Sequence, residues 1–260
     1  MRGFSIVIAA ALFVVVLASG RDTALATTSG VPDSMAALGD SITQATNFDG
    51  AHPGSNPTYS WATGTQSVVQ SVYTRTLAGN PNINGKNFNY SVNGAKMADL
   101  NSQALNVNST PGGVELVLIE MGGNDVCASN EASMTAVADY RTQFQTAMNA
   151  LTTGFPNRRI TVLSVPDVYQ LWVVLHDNPN AVNWWNTFSI CHSLLANPTS
   201  TDQADVDRRL RVRQRNIDFN TQLGEVCALY AKCTFDKGGL RHGRRRLAKR
   251  LRSDDHHERA

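Results

Sequence analysis

A chain of 260 residues, 42% hydrophobic and 17% charged, is long enough to bury one sizeable core, and its composition is neither fibrous nor low-complexity. The formal net charge of +2 conceals an asymmetry: nine of the 23 lysines and arginines lie between Lys237 and Ala260, so residues 1–236 carry 14 basic and 18 acidic side chains, a net of −4. A mildly acidic body argues against a dedicated nucleic-acid binder, and contact of the basic end with a polyanion would be non-specific and salt-sensitive.

In chain order, the first feature is the apolar run Phe4 to Ala18 behind Arg2, followed by the small-x-small pattern Ala24-Leu25-Ala26. The run is shorter than the roughly 20 residues that span a bilayer, so residues 1–26 read as a removed secretory signal and the mature chain as extracellular, with no transmembrane span. Short apolar runs then alternate with longer mixed segments. The pattern predicts strands at Ser34 to Leu38, Asn87 to Val92, Glu115 to Met121, Arg159 to Val165 and, more weakly, Ala231 to Phe235. It predicts helices at Ser60 to Ala78, Met97 to Leu105, Glu131 to Thr152 and Ala204 to Ala228, the last with Val206, Leu210 and Ile217 on one face. Such alternation is the pattern of an α/β fold with a parallel sheet covered on both faces, in which reactive groups gather at the carboxyl ends of the strands. Asn47 to Tyr59, rich in Gly, Pro and Asn, reads as a loop on that rim, and Asp177 to Pro198 as an insertion carrying Trp184, Trp185 and Phe188.

The four cysteines, Cys127, Cys191, Cys227 and Cys233, are an even count in an exported chain, which favours two disulfides over thiols. Three pairings are open; the sequential one, 127 with 191 and 227 with 233, is preferred because the short second loop closes easily. No Cys-x-x-Cys pair is present to suggest zinc.

Three predicted strands end in small or polar residues of a particular kind: Gly39-Asp40-Ser41, then Ser91-Val92-Asn93-Gly94-Ala95, then Met121-Gly122-Gly123-Asn124-Asp125. A serine just past a strand, opening a helix, sits where backbone N–H groups point outward. A glycine leaves a bare backbone N–H open to an approaching substrate, and an asparagine can aim a side-chain amide at the same point. The N–H groups of Ser41 and Gly94 and the Asn124 amide would then be three donors for one oxyanion. Each piece alone is an ordinary turn; the three in this order, each at a strand end, are the signal.

These residues resemble the SGNH, or GDSL, hydrolase family, whose members carry a nucleophilic Ser in Gly-Asp-Ser, a Gly in a second block and an Asn in Gly-x-Asn-Asp, here Ser41, Gly94 and Asn124. The similarity extends to exported actinobacterial-type esterases and lipases through Pro166-Asp167-Val168-Tyr169-Gln170-Leu171-Trp172, the Cys191 segment and Arg211-Val212-Arg213-Gln214-Arg215. It covers roughly residues 34 to 236. It implies a flavodoxin-like three-layer α/β/α sandwich with about five parallel strands, spanning 27–236, and a basic tail at 237–260. It implies a monomeric serine ester hydrolase, a lipase or carboxylesterase, that acts on small-molecule or lipid acyl esters through an acyl-enzyme on Ser41, with no metal or organic cofactor. Deacetylation of polysaccharide is the runner-up within that class. The other class is binding without turnover on an impaired hydrolase fold.

A serine hydroxyl needs a base, usually His held by a carboxylate. The family carries Asp-x-x-His in a late block followed by a closing helix, and after Phe235-Asp236 this chain departs into an arginine-rich run. Asp254 and His257 keep the spacing, but in a charge-rich segment with few apolar residues to dock it. His242 sits among arginines, His176 and His192 flank the insertion, and His52 lies in the loop after Ser41. The abrupt change in composition is what a shift of reading frame near codon 237 would leave; the other two frames of the gene would then encode an Asp-x-x-His continuation.

Overall fold

The computed structural model describes residues 30–237. Five strands, β1 (Met35–Gly39), β2 (Asn87–Asn89), β3 (Leu116–Glu120), β4 (Arg159–Val162) and β5 (Cys233–Phe235), form one parallel sheet in the order β2-β1-β3-β4-β5. The helices are α1 (Val72–Gly79), α2 (Leu100–Asn108), α3 (Gly123–Val126), α4 (Val137–Thr152), α5 (Tyr169–Leu175), α6 (Pro179–Phe188), α7 (His192–Leu195) and α8 (Gln203–Cys227). This is the doubly wound, flavodoxin-like order expected from the alternation, with its switch point between β1 and β3, where a crevice opens beyond the strand ends. β1 and β3 run in step from Met35 opposite Leu116 to Gly39 opposite Glu120, so Asp40 and Met121 leave the sheet at one level.

The two faces of the sheet are covered unequally. Ala36 and Leu38 of β1, Val117 and Ile119 of β3, and Ile160 and Val162 of β4 join the larger core with α2, α4 and α8, including Leu100, Phe144 and Phe219. Met35, Ala37 and Leu118 point the other way, into a smaller cluster with Ala62, Tyr73 and Ile83 from the segment that carries α1. On β4 that second face holds Arg159 and Thr161, both half-buried, so the strand reads as alternating rather than wholly apolar.

All five strands are present, and four, β2 to β5, are shorter than the sequence suggests, β2 and β4 the most. Tyr90 and Val92 still donate to Ala37 and Gly39 (2.9 and 3.0 Å), and Leu163 to Ile119 (2.8 Å), so pairing continues past β2 and β4 on one side only. The helix expected at Ser60 to Ala78 is confined to α1. Residues 60–71 make turns: a Cβ on Gly64 would lie 2.4 Å from the Ser60 carbonyl, and Gln70 has φ 48°. The helix begins where Ser71 caps it, its hydroxyl accepting from the Thr74 N–H at 3.1 Å. Asp177 to Pro198 is not irregular: Asn178 caps α6 through bonds from Asn180 and Ala181.

The buried face of α8 also differs from the expected one. It consists of Asp205, Arg209, Val212, Asn216, Phe219, Asn220, Leu223, Val226 and Cys227, whereas Leu210 is exposed and Val206 and Ile217 are half-buried. Four of these buried positions are polar, which hides the face from a hydrophobic count, and Asp205, Arg209 and Asn220 are tolerated because they are bonded. The Arg209 guanidinium donates to the Ser200 carbonyl at 2.8 Å and lies over the Trp172 ring at 4.6 Å.

Two disulfides join Cys127 to Cys191 and Cys227 to Cys233, the sequential pairing. The first ties the end of α3 to the residue before α7, and the second ties the end of α8 to β5. Among the described residues no helix is long and apolar enough to cross a membrane.

Candidate active site

The ends of β1, β2 and β3 converge, and side chains lace them together. Gly39 is required where β1 meets β3: a Cβ there would lie 2.4 Å from the Thr43 hydroxyl and 2.5 Å from the Glu120 carbonyl oxygen. Its backbone is matched by buried Gln103 of α2, which accepts from the Gly39 N–H at 2.9 Å and donates to its carbonyl at 3.0 Å. The Asp40 side chain turns inward, and its Oδ1 accepts from the Ile42 N–H at 2.9 Å, bridging the residue between them. That residue is Ser41, half-buried at the mouth of the turn. Beyond the serine the chain makes a set of turns rather than the anticipated helix, because Ala45 and Asn47 adopt φ of 50° and 49°.

The second and third blocks close on this turn. The Gln44 amide donates to the Ser91 carbonyl, and the Thr46 hydroxyl to the Asn93 side chain. Gly94 is exposed at φ 74°, in the left-handed region that glycine adopts without cost. Asn124, in α3, sends its side-chain amide to the Ala95 carbonyl at 3.0 Å and to Asp40 Oδ2 at 3.3 Å, so one amide touches all three blocks. The structure thus brings Asn124 onto the Ser41 turn and the Gly94 loop. Among the described residues neither the Ser41 N–H, the Ser41 hydroxyl nor the Gly94 N–H has a hydrogen-bond partner, while the Asn124 amide is already engaged.

Behind the turn lies a group of buried acids that the sequence reading missed. Asp40, Glu120 and Asp125 are each at most 1% exposed. Asp125 is held by the Thr135 hydroxyl at 2.7 Å and the Met97 N–H at 2.9 Å. Burial pushes Asp40 up from 3.8 to about 6, opposed by the Ile42 bond and reinforced by the charge of Asp125. Burial, then repulsion from Asp40, pushes Glu120 up from 4.5 to about 8. Burial likewise raises Asp125 and, beside these acids, the Tyr140 phenol, whose hydroxyl donates to the Met121 carbonyl at 2.8 Å. Raised values mean that the fold keeps protons the unfolded chain has released. This part of the stability is therefore complete below about pH 4 and is lost as pH rises toward 8. Thermal midpoints are expected to be lower at about pH 8.5 than at about pH 5, and a flat profile across that range would contradict the burial of these acids.

The described histidines are occupied elsewhere or distant in sequence. His52 Nδ1 pairs with Asp49 at 2.7 Å and its Nε2 faces the Tyr59 hydroxyl at 3.3 Å, inside a stack with Phe48 and Tyr59. His176 bonds the Trp172 carbonyl through Nδ1 at 2.9 Å and stacks on that ring. His192 begins α7. Asp254, His257 and His242 lie outside the described residues, as do the expected leader 1–26 and most of the tail. Among the aromatic side chains, Trp61 donates to the Thr43 hydroxyl at 3.3 Å next to the turn, and Trp185 is buried in the larger core. Trp184 and Phe188 are 58% and 59% exposed and stack on each other at 4.6 Å. Among the described residues no cluster of three or more His, Cys, Asp or Glu is arranged to hold a metal ion.

No curated protein sequence matches the chain. Among solved structures, one similar chain is a protein of Streptococcus pneumonia described provisionally as a platelet activating factor. It is 13% identical, with 80% of this chain and 67% of that one covered at a TM-score of 0.42. Another is an alpha/beta hydrolase enzyme from the metagenome of Lake Arreo, Spain, 13% identical, covering 78% and 75% at a TM-score of 0.43. The family model of the GDSL-like lipase/acylhydrolases matches residues 35–245, which takes in every strand and all three blocks, and the chain belongs to that family of hydrolases.

Proposed function

We propose that this chain is a secreted serine ester hydrolase that works through an acyl-enzyme on Ser41. The observation that carries the reading is the Asn124 amide, which joins the Ser41 turn and the Gly94 loop while the N–H groups of Ser41 and Gly94 have no acceptor among the described residues. In the proposed reaction Ser41 Oγ attacks the ester carbonyl and its proton passes to a general base. The oxyanion is held by the Ser41 and Gly94 N–H groups and by Asn124, whose longer N–H bond to Asp40 is shared with the substrate oxygen while Asp40 keeps the amide in place. The alcohol leaves with the proton, and water then attacks the acyl-enzyme to free the acid and restore the serine. The base is to be sought outside the described residues, where Asp254 and His257 keep the Asp-x-x-His spacing. Phe48, Tyr59 and Trp61 beside the turn supply an apolar wall that favours lipid or short-chain acyl esters, with polysaccharide deacetylation as the alternative substrate. The leader at 1–26 and the two disulfides support export, and the chain is taken to act as a monomer.

A second reading, a hydrolase fold without turnover, draws on the Ser41 hydroxyl having no hydrogen-bond partner among the described residues. A fluorophosphonate probe separates the two. Under the enzyme reading the mature chain carries the label on the peptide that contains Ser41. An intact, folded chain left unlabelled would establish the second reading, and equal labelling of Ser41→Ala would remove the nucleophile from Ser41.

A further inference from the structure

Of the three buried acids behind the site, Asp40 and Asp125 make hydrogen bonds to the elements around them, while Glu120 makes none of ordinary geometry and the proposed reaction has no use for it. It ends β3, and strand alternation places it with Leu116 and Leu118 on the face of the smaller cluster. Among the described residues neither of its carboxyl oxygens makes a hydrogen bond of ordinary geometry. The Thr43 hydroxyl, which accepts from the Trp61 ring N–H at 3.3 Å, lies beside it and is the single donor that favours its charged form. The charged or titratable groups that face it are Asp40 from the β1 turn and Tyr140 from α4, with Asp125 of α3 next to both. Lys96 acts on Asp125, and among the described residues no lysine or arginine is found acting on Glu120. With one poorly aligned hydroxyl as donor and no cation, a carboxylate is costlier to bury here than a carboxylic acid.

We propose that Glu120 is a positioning residue held as a neutral acid behind Asp40, and that its ionisation forces Asp40 to move and releases the Asn124 amide, disarming the oxyanion pocket. The proposal deepens the hydrolase reading and rests on it for its catalytic consequence. Asp40 carries the link: one oxygen fixes the Ile42 N–H across Ser41 and the other holds Asn124. With Glu120 neutral, Asp40 is free to be the ionised acceptor both bonds need. A second negative charge beside Asp40, with both carboxyls buried, requires the pair to separate or to recapture a proton. Either change alters what Asn124 and the Ser41 turn rest against.

The test tracks the Asn124 side-chain amide by NMR across an alkaline titration of the mature chain and of Glu120→Gln, a neutral near-isostere. The resonance is expected to shift in the wild-type chain with a midpoint near 8, where burial places Glu120, and to stay still in the variant. Over the same range hydrolysis of a chromogenic short-chain ester should lose kcat about tenfold per pH unit with KM little changed. Glu120→Gln should keep its neutral-pH kcat within about threefold and lose that limb. An amide that titrates identically in both proteins overturns the proposal, as does a Glu120-linked shift that leaves an observed kcat flat. A chain that hydrolyses nothing but shows the Glu120-dependent shift upholds the positioning role and sinks the hydrolase reading instead. If the variant does not fold, the wild-type carboxyl carbon of Glu120 decides: a carboxyl already ionised at neutral pH overturns the proposal.

Discussion

Ser41→Ala is expected to remove ester hydrolysis almost entirely, by on the order of 10⁴- to 10⁶-fold in kcat, because removing a covalent nucleophile removes the pathway rather than one contact in it. KM for a short-chain ester should change little, since the alanine leaves the N–H at position 41 and the Gly94 N–H in place. Stability should also change little: the hydroxyl has no internal partner, and the turn is held by the Asp40–Ile42 and Gln44–Ser91 bonds. Steady-state kinetics on both proteins at equal folded concentration are the check, and a variant within tenfold of the parent would exclude Ser41 as the attacking group. His257→Ala assayed beside it reads the base. A loss comparable to that of Ser41→Ala would make His257 the proton acceptor, and an unchanged rate would exclude it.

Asn124→Ala is expected to lower kcat by about 10²- to 10³-fold, the usual effect of losing one oxyanion donor. Its contacts carry two further consequences. The amide is the tie from α3 to the Ala95 carbonyl and to Asp40, so the variant should also lose about 1–3 kcal/mol of stability, the cost of stranding buried acceptors. It should weaken the coupling between Asp40 and the pocket, so any alkaline limb in kcat set by Glu120 should flatten. Asn124→Asp is the sharper control, since it keeps the shape but sets a carboxylate against Asp40, and it should be worse than alanine in both activity and stability. A kcat for Asn124→Ala within threefold of the parent would leave the amide as a structural tie alone.

The legible part of this protein was its sequence of local periods and its punctuation. Runs such as Met35 to Leu38 and Leu116 to Ile119 are buried strands because every residue in them is apolar and a glycine or acid stops each one. The three blocks could be read for the same reason: Gly39, Gly94 and Gly122 sit where only glycine fits or where φ is positive, so the sequence has little freedom there. The helix at Ser60 to Ala78 was misread because Thr, Val and Gln can be counted into a helical stripe, while the break came from Gly64 against the Ser60 carbonyl, a contact with no periodic signature. The α8 face was missed because Asp205, Arg209, Asn216 and Asn220 lie inside it, and Asn220 bonds the Val165 backbone 55 residues away, which no local period announces.

The sequence by itself determined the α/β class, the five-strand alternation and the three blocks that place the chain among the GDSL-like hydrolases, because each depends on residue types at short spacing. Only the tertiary structure decided which of the three open disulfide pairings forms, that Asn124 spans all three blocks, that Gln103 closes the end of β1 and that Asp40, Glu120 and Asp125 share one buried region behind Ser41. Those facts depend on the sheet setting β1 in step with β3, which puts Gly39 opposite Glu120. A carboxylate in water and a neutral acid in a core are the same letter, and burial alone separates them.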